Sequence, residues 1–167
     1  MAGNEIPNKR RGRLIRYAPL ILWLGVIFFL SSGQGSMAET SRFIRPIIEF
    51  FFPSAAPDTF LIVHALIRKT AHFVEYAVLA MFTARAFSTS TADVLRRHWI
   101  LFSFALVVLI AIIDESNQSF ETSRTGSIWD VLLDIGGGVT AIFIYFLITH
   151  RIATRVRASE NQAKIVD

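Results

Sequence analysis

Apolar residues dominate four stretches of the chain: 14–30 (LIRYAPLILWLGVIFFL), 71–87 (AHFVEYAVLAMFTARAF), 99–113 (WILFSFALVVLIAII) and 131–149 (VLLDIGGGVTAIFIYFLIT). A membrane-crossing helix needs about 20 largely apolar residues, with a range of about 17–25. With flanking residues added, the stretches predict four spans at about 14–32, 69–88, 97–114 and 130–149. The third is short and opens on Trp99, a residue type that favours the membrane interface. Polar residues interrupt two of them: His72, Glu75 and Arg85 in the second, and Asp134 in the fourth.

The segment between the first two spans has its own periodicity. Phe43, Ile44, Ile47, Ile48, Phe51 and Phe52 fall on one helical face, with Arg42, Arg45 and Glu49 mostly elsewhere. This predicts an amphipathic helix ended by Pro53 and Pro57. It lies in the outer membrane interface or packs on the bundle, and spacing does not choose between the two. Residues 58–69 then read as an outward extension of the second span. The expected fold is all-α and polytopic, with four transmembrane helices plus this extracytoplasmic interfacial helix. Residues 14–150 form the membrane domain, between basic cytoplasmic tails at 1–13 and 151–167.

Composition agrees. Of 167 residues, 53% are hydrophobic and 18% charged, against about 45–50% and about 25% in soluble domains. Cysteine is absent, which excludes disulfides, zinc–thiolate sites and thiol catalysis. The net charge of +4 is concentrated at particular loops. Lys9, Arg10, Arg11, Arg13 and Arg16 precede the first span. Arg85, Arg96 and Arg97 lie near the second-to-third connection, and Arg151, Arg155, Arg157 and Lys164 follow the fourth. The third-to-fourth connection instead carries Asp114, Glu115, Glu121 and one arginine, Arg124. Alternation of this kind puts both termini in the cytoplasm, so the basic charge is an orientation signal and not a nucleic-acid patch. A cleaved leader ending near Ala38 would also suit the basic start and apolar run, but its removal would leave three spans and break the alternation.

With this topology the polar residues gather at one depth. Lys69, His72, Glu75 and Tyr76 share a stripe of the second helix, and a rise of about 1.5 Å per residue puts Glu75 about 9 Å below Lys69. Asp114 and Glu115 mark the outer end of the third helix, with Gln118 a turn beyond. Asp130 opens the fourth helix, and Asp134 lies one turn deeper on a face continued by Gly137, Gly138 and Ala141. Ionisable groups at a helix centre cost about 2.5–3.5 kcal/mol each on insertion scales. A cluster of this size in the outer leaflet therefore points to function. Simpler readings remain for single members: Asp114 and Glu115 as solvated loop carboxylates, Arg124 as an interfacial anchor, Asp130 as a helix-dipole partner, and His72 with Glu75 as a structural pair.

These same residues carry a resemblance. Arg68-Lys69-Thr-Ala-His72-Phe-Val-Glu75-Tyr76, Asp114-Glu115-Ser-Asn-Gln118, Arg124-Thr-Gly126-Ser-Ile-Trp-Asp130, and Asp134 with Gly137-Gly138 resemble the VanZ-like family in order and spacing. Ser31-Ser32-Gly-Gln34 is also similar to a family feature, and the likeness covers about residues 15–150. Thr122-Ser123 stands where members commonly have Pro-Gly, and Asp134 where many have Asn. The resemblance implies a four-helix protein of the bacterial cell membrane. It also implies a link to resistance against the glycopeptide teicoplanin, and kinship with membrane proteins thought to process lipid phosphate head groups.

Two functional classes follow. In the first, the protein is an enzyme acting on the phosphate or glycan head group of a lipid-linked cell-wall intermediate at the outer leaflet. Lys69 and Arg124 neutralise phosphate, with Tyr76, Gln118 and Asp134 completing the substrate-binding set. His72, oriented by Glu75, serves as general base or nucleophile. Asp114, Glu115 or Asp130 supplies the acid or binds a divalent cation. In the second class, the same residues bind a cell-wall lipid or lipoglycopeptide without chemistry. A transporter fits less well, since there is no inverted repeat and the inner halves of the spans are mostly apolar. Lipid is the expected partner. The sequence does not determine the oligomeric state.

Overall fold

The computed structural model describes residues 5–32, 37–53, 56–119 and 127–166. Among them the chain is all-α, with no strand: α1 (Glu5–Ser31), α2 (Met37–Phe51), α3 (Pro57–Ser88), α4 (Asp93–Arg97), α5 (Trp99–Ser119) and α6 (Ile128–Val166).

Among the described residues, three helices are long and apolar enough to cross a membrane, over Gly12–Ser31, Trp99–Ser119 and Ile128–Arg155. Their outward faces carry exposed Leu22, Phe29, Leu101, Leu109, Phe143 and Ile148. Apolar surface this extensive marks a face that meets lipid or another apolar partner. Four such helices were expected, and the second, now α3, does not qualify. It is 32 residues long, and the residues it buries within the expected span are mostly small. Tyr76, Leu79, Ala80, Thr83, Ala84 and Ala86 are all buried there, and His72, Glu75 and Arg85 lower its hydropathy further. α3 is the axis of the bundle and packs against every other helix. Its polar groups meet partners on neighbouring helices, while Leu61, Ile62, Leu66, Val74 and Met81 remain exposed on its outer side.

Proline sets the start of α3. Pro57 occupies the first turn, where its missing N–H costs nothing, and the helix then runs unbroken through the expected extension at 58–69. At one end of the bundle, Tyr17 Oη bonds Ser90 Oγ at 2.9 Å, Ser88 Oγ bonds Tyr145 Oη at 3.0 Å, and the Arg85 guanidinium donates to the Ile15 carbonyl at 3.5 Å. The middle of α1, the end of α3 and the middle of α6 therefore lie together, and Trp99 at the start of α5 packs edge-on against Tyr145 at the same end. The helices alternate in direction, and Asp114 and Asp134 fall at the opposite end.

The amphipathic face of α2 is only partly covered by the bundle. Ile48 is buried, whereas Ile47, Phe50, Phe51 and Phe52 are exposed. Its attachment to α3 is partly polar, with His64, which is fully buried, 3.2 Å from Thr40 Oγ1 and 3.4 Å from Ser41 Oγ.

Candidate functional site

Helix periodicity brings His72 and Tyr76 of α3, Asp114 and Gln118 of α5, and Asp134 of α6 to one interior seam. The close approach depends on two glycines. A methyl group at Gly137 would overlap the Phe73 carbonyl oxygen of α3, and one at Gly138 would stand 2.5 Å from Val107 Cγ1 of α5. Without these side chains α6 fits against both neighbours at the depth of Asp134.

Asp114 is the best-held carboxylate. Its Oδ2 accepts hydrogen bonds from Tyr76 Oη at 3.2 Å and Gln118 Nε2 at 3.0 Å. Arg68 in turn donates to Gln118 Oε1 at 3.5 Å. The helix continues through Ser119, so Asp114 and Glu115 are buried helical residues and not solvated loop carboxylates. Glu115 accepts a hydrogen bond from the Ser127 main-chain N–H, which ties the end of α5 to the start of α6.

His72 faces across the seam. Its Nδ1 lies 3.6 Å from Asp134 Oδ1. Among the described residues no hydrogen bond joins it to Glu75, the partner expected from sequence. Glu75 stays within electrostatic range of His72, Asp114 and Asp134, and its main-chain carbonyl accepts the Trp23 indole N–H at 3.0 Å. At the rim, Lys69 Nζ and Asp130 Oδ1 pair at 2.6 Å with side chains 53% and 34% exposed. Asp130 is thus both a first-turn helix charge and the lysine's partner. Tyr76, Gln118 and Asp134, expected to touch substrate, are only 0%, 4% and 1% exposed, so they line the interior while Lys69 and Asp130 meet the surroundings. Arg124 lies outside the described residues.

Asp114 Oδ1, both oxygens of Asp134 and His72 Nδ1 are buried without a hydrogen-bond partner among the described residues. One ligand-type atom from each of these three side chains lies within 4.8 Å of the others. Such a set is chemically able to share a proton, grip a cation, or relay charge to a group at the rim.

The VanZ/LLP1 family model matches residues 17–149, most of the chain and every residue of the cluster. The chain belongs to the VanZ/LLP1 family. No curated protein and no solved structure matches it. In this VanZ/LLP1 protein, Arg68 and Trp23 are polar groups beside the cluster to which the sequence gives no role. Arg68 stands one turn before His72 on the same stripe, a spacing that marks it as a neighbour of the site. Trp23 gave no comparable signal, because it sits mid-span among apolar residues and its bond to the Glu75 carbonyl is a contact between distant parts of the chain.

Proposed function

We propose that this VanZ/LLP1 protein engages the phosphate or glycan head group of a lipid-linked cell-wall intermediate in the outer leaflet of the bacterial cell membrane, and processes it there. In this reading α3 is a fourth span over residues 69–88, both termini are cytoplasmic, and α2 rests in the outer interface. The observation that carries it is the cluster of His72, Glu75, Asp114 and Asp134, gathered at the end of the bundle away from Arg13, Arg16, Arg96, Arg97 and Arg151, with the exposed Lys69–Asp130 pair beside it. By the positive-inside rule the arginine-rich end is cytoplasmic and the cluster is external. A lipid-linked substrate suits that position, since its tail stays in the bilayer while its head reaches the rim.

Lys69, with Arg124, receives the anionic group as a charge partner. His72 acts as base or nucleophile, and Glu75, Asp130 or Glu115 exchanges the proton. The buried Tyr76, Gln118 and Asp114 hold the arrangement in register. A link to teicoplanin resistance, implied by the family resemblance, would follow if the lipid processed is the precursor pool that the drug targets.

The test is mass spectrometry of membrane lipids and cell-wall precursors incubated with the protein in nanodiscs, with and without Mg²⁺ or Mn²⁺. Parent, His72→Ala and Asp130→Asn run in parallel. A new head-group product made by the parent and lost in both variants is the expected outcome. Full turnover in both variants would overturn these roles, and a lipid retained stoichiometrically but unchanged would make the protein a binder and not an enzyme.

A further inference from the structure

We propose that His72, Asp114 and Asp134 form a binding site for one divalent first-row cation, of the Zn²⁺ or Mn²⁺ type. The inference deepens the functional reading above and rests on it for its biological purpose, although the site itself is argued from geometry alone.

Each ligand comes from a different helix: His72 from α3, Asp114 from α5 and Asp134 from α6. Their ligand-type atoms lie within 4.8 Å of one another, and the His72–Asp134 approach is 3.6 Å. Ligands held at about 2.0–2.2 Å around a tetrahedral ion stand about 3.4 Å apart. Small side-chain rotations therefore close the set around an ion, with no helix movement.

Burial supplies the second argument. Asp114 and Asp134 are 2% and 1% exposed, yet Asp114 Oδ1 and both Asp134 oxygens lack a hydrogen-bond partner among the described residues. Buried carboxylates are ordinarily paired or bound to metal. Asp114 also has a ligand's asymmetry: Tyr76 and Gln118 both bond Oδ2 and leave Oδ1 bare. Hydrogen bonds of this sort orient a coordinating carboxylate from outside. Two carboxylates and a neutral imidazole balance a 2+ ion, so the loaded site carries no net charge inside the bundle.

The ligand types select the metal. Imidazole suits Zn²⁺ and other first-row transition ions, and carboxylate suits Mn²⁺, whereas Ca²⁺ and Mg²⁺ favour all-oxygen sets. A bound cation also removes a difficulty of the functional reading, because the several carboxylates near Lys69 would otherwise repel an anionic head group; with His72 Nδ1 on the ion, the base duty given to His72 above passes to Glu75, which stays within electrostatic range of the cluster.

The experiment uses the untagged full chain in phosphatidylcholine nanodiscs, stripped with chelator, reloaded with Mn²⁺ or Zn²⁺ alone, desalted, and assayed by elemental mass spectrometry. The expected result is about one ion per chain, with occupancy at limiting metal reduced at least tenfold in Asp134→Asn and His72→Ala. Glu49→Gln, on the exposed face of α2, should load as the parent does. Should the site variants misfold, the Mn²⁺-loaded parent still decides: its electron spin-echo spectrum should show ¹⁴N modulation from a directly bound imidazole. No retained ion, unchanged loading in Asp134→Asn, or a nitrogen-free Mn²⁺ spectrum overturns the site. No lipid-linked substrate enters this experiment, so its failure leaves the head-group assay standing, and a failed head-group assay leaves the metal result standing.

Discussion

Gly137 of α6 packs directly beneath the Phe73 carbonyl of α3, and this contact sets the depth at which Asp134 meets His72, one residue before Phe73. The glycine stripe and the polar cluster are thus one construction: bare backbone at 137 and 138 lets three helices deliver their side chains to a single point.

Gly137→Ala should therefore separate α6 from α3 and destabilise the protein by about 1–3 kcal/mol, the usual range for overpacking. Gly136→Ala is the control, because a methyl group there has its nearest neighbour at 3.9 Å. Thermal melts followed by tryptophan fluorescence should show a clearly lower midpoint for Gly137→Ala and little change for Gly136→Ala. Equal midpoints would dissociate the glycine contact from the packing of the seam.

The rim pair should behave oppositely. Lys69 and Asp130 are substantially exposed, and exposed ion pairs contribute only about 0–1 kcal/mol to stability. Lys69→Gln should leave the melting midpoint nearly unchanged while weakening capture of an anionic polyprenyl-phosphate lipid about tenfold, equivalent to about 1.4 kcal/mol. Binding measured in nanodiscs checks this, and undiminished capture would remove Lys69 from the head-group site.

A third expectation concerns pH. His64 lies outside the proposed span, fully buried between α2 and α3. Burial lowers its pKa from 6.5, and the Arg68 charge lowers it further. Its folded pKa thus lies below its unfolded one, so the neutral ring contributes stability in full above pH 6.5. That contribution fades as pH falls through 6.5 toward the folded value. Hydrogen exchange should show α2 amides losing protection as pH falls below 6.5, with the pH dependence abolished in His64→Gln. A loss of protection on raising pH instead would reverse the assigned sign.

Much of this architecture was legible in the sequence. The apolar runs marked α1, α5 and α6, and the i, i+3, i+4 spacing of Lys69, His72, Glu75 and Tyr76 put them on one stripe of α3. The partner of His72 was not legible. Glu75 is near it in sequence and Asp134 is near it in space, and only the glycine contact that fixes helix register distinguishes them. Nor did spacing fix how far α5 runs past Asp114; its continuation through Ser119 removes the alternative reading of Asp114 and Glu115 as solvated loop carboxylates. The short helix α4 also escaped notice, because five residues give no periodicity to read. α3 has the length and position of a span, and His72, Glu75 and Arg85 mark its interruption in the sequence, but that α5 and α6 meet its polar side while Val74 and Met81 stay exposed is visible only in the structure.

That character of α3 bears on biogenesis. A helix whose polar side is satisfied by α5 and α6 is synthesised before either exists, so on the proposed topology it cannot settle in lipid unaided. Its insertion must wait for sequence that has yet to leave the ribosome. A chain ended at residue 98, carrying an engineered glycosylation site in the connection after α3, should be glycosylated in microsomes, while the full-length chain with the same site should not. Equal behaviour of the two would mean that α3 enters alone. Otherwise the cluster is assembled by the same late event that commits its central helix to the membrane, and no partly inserted form presents a finished site.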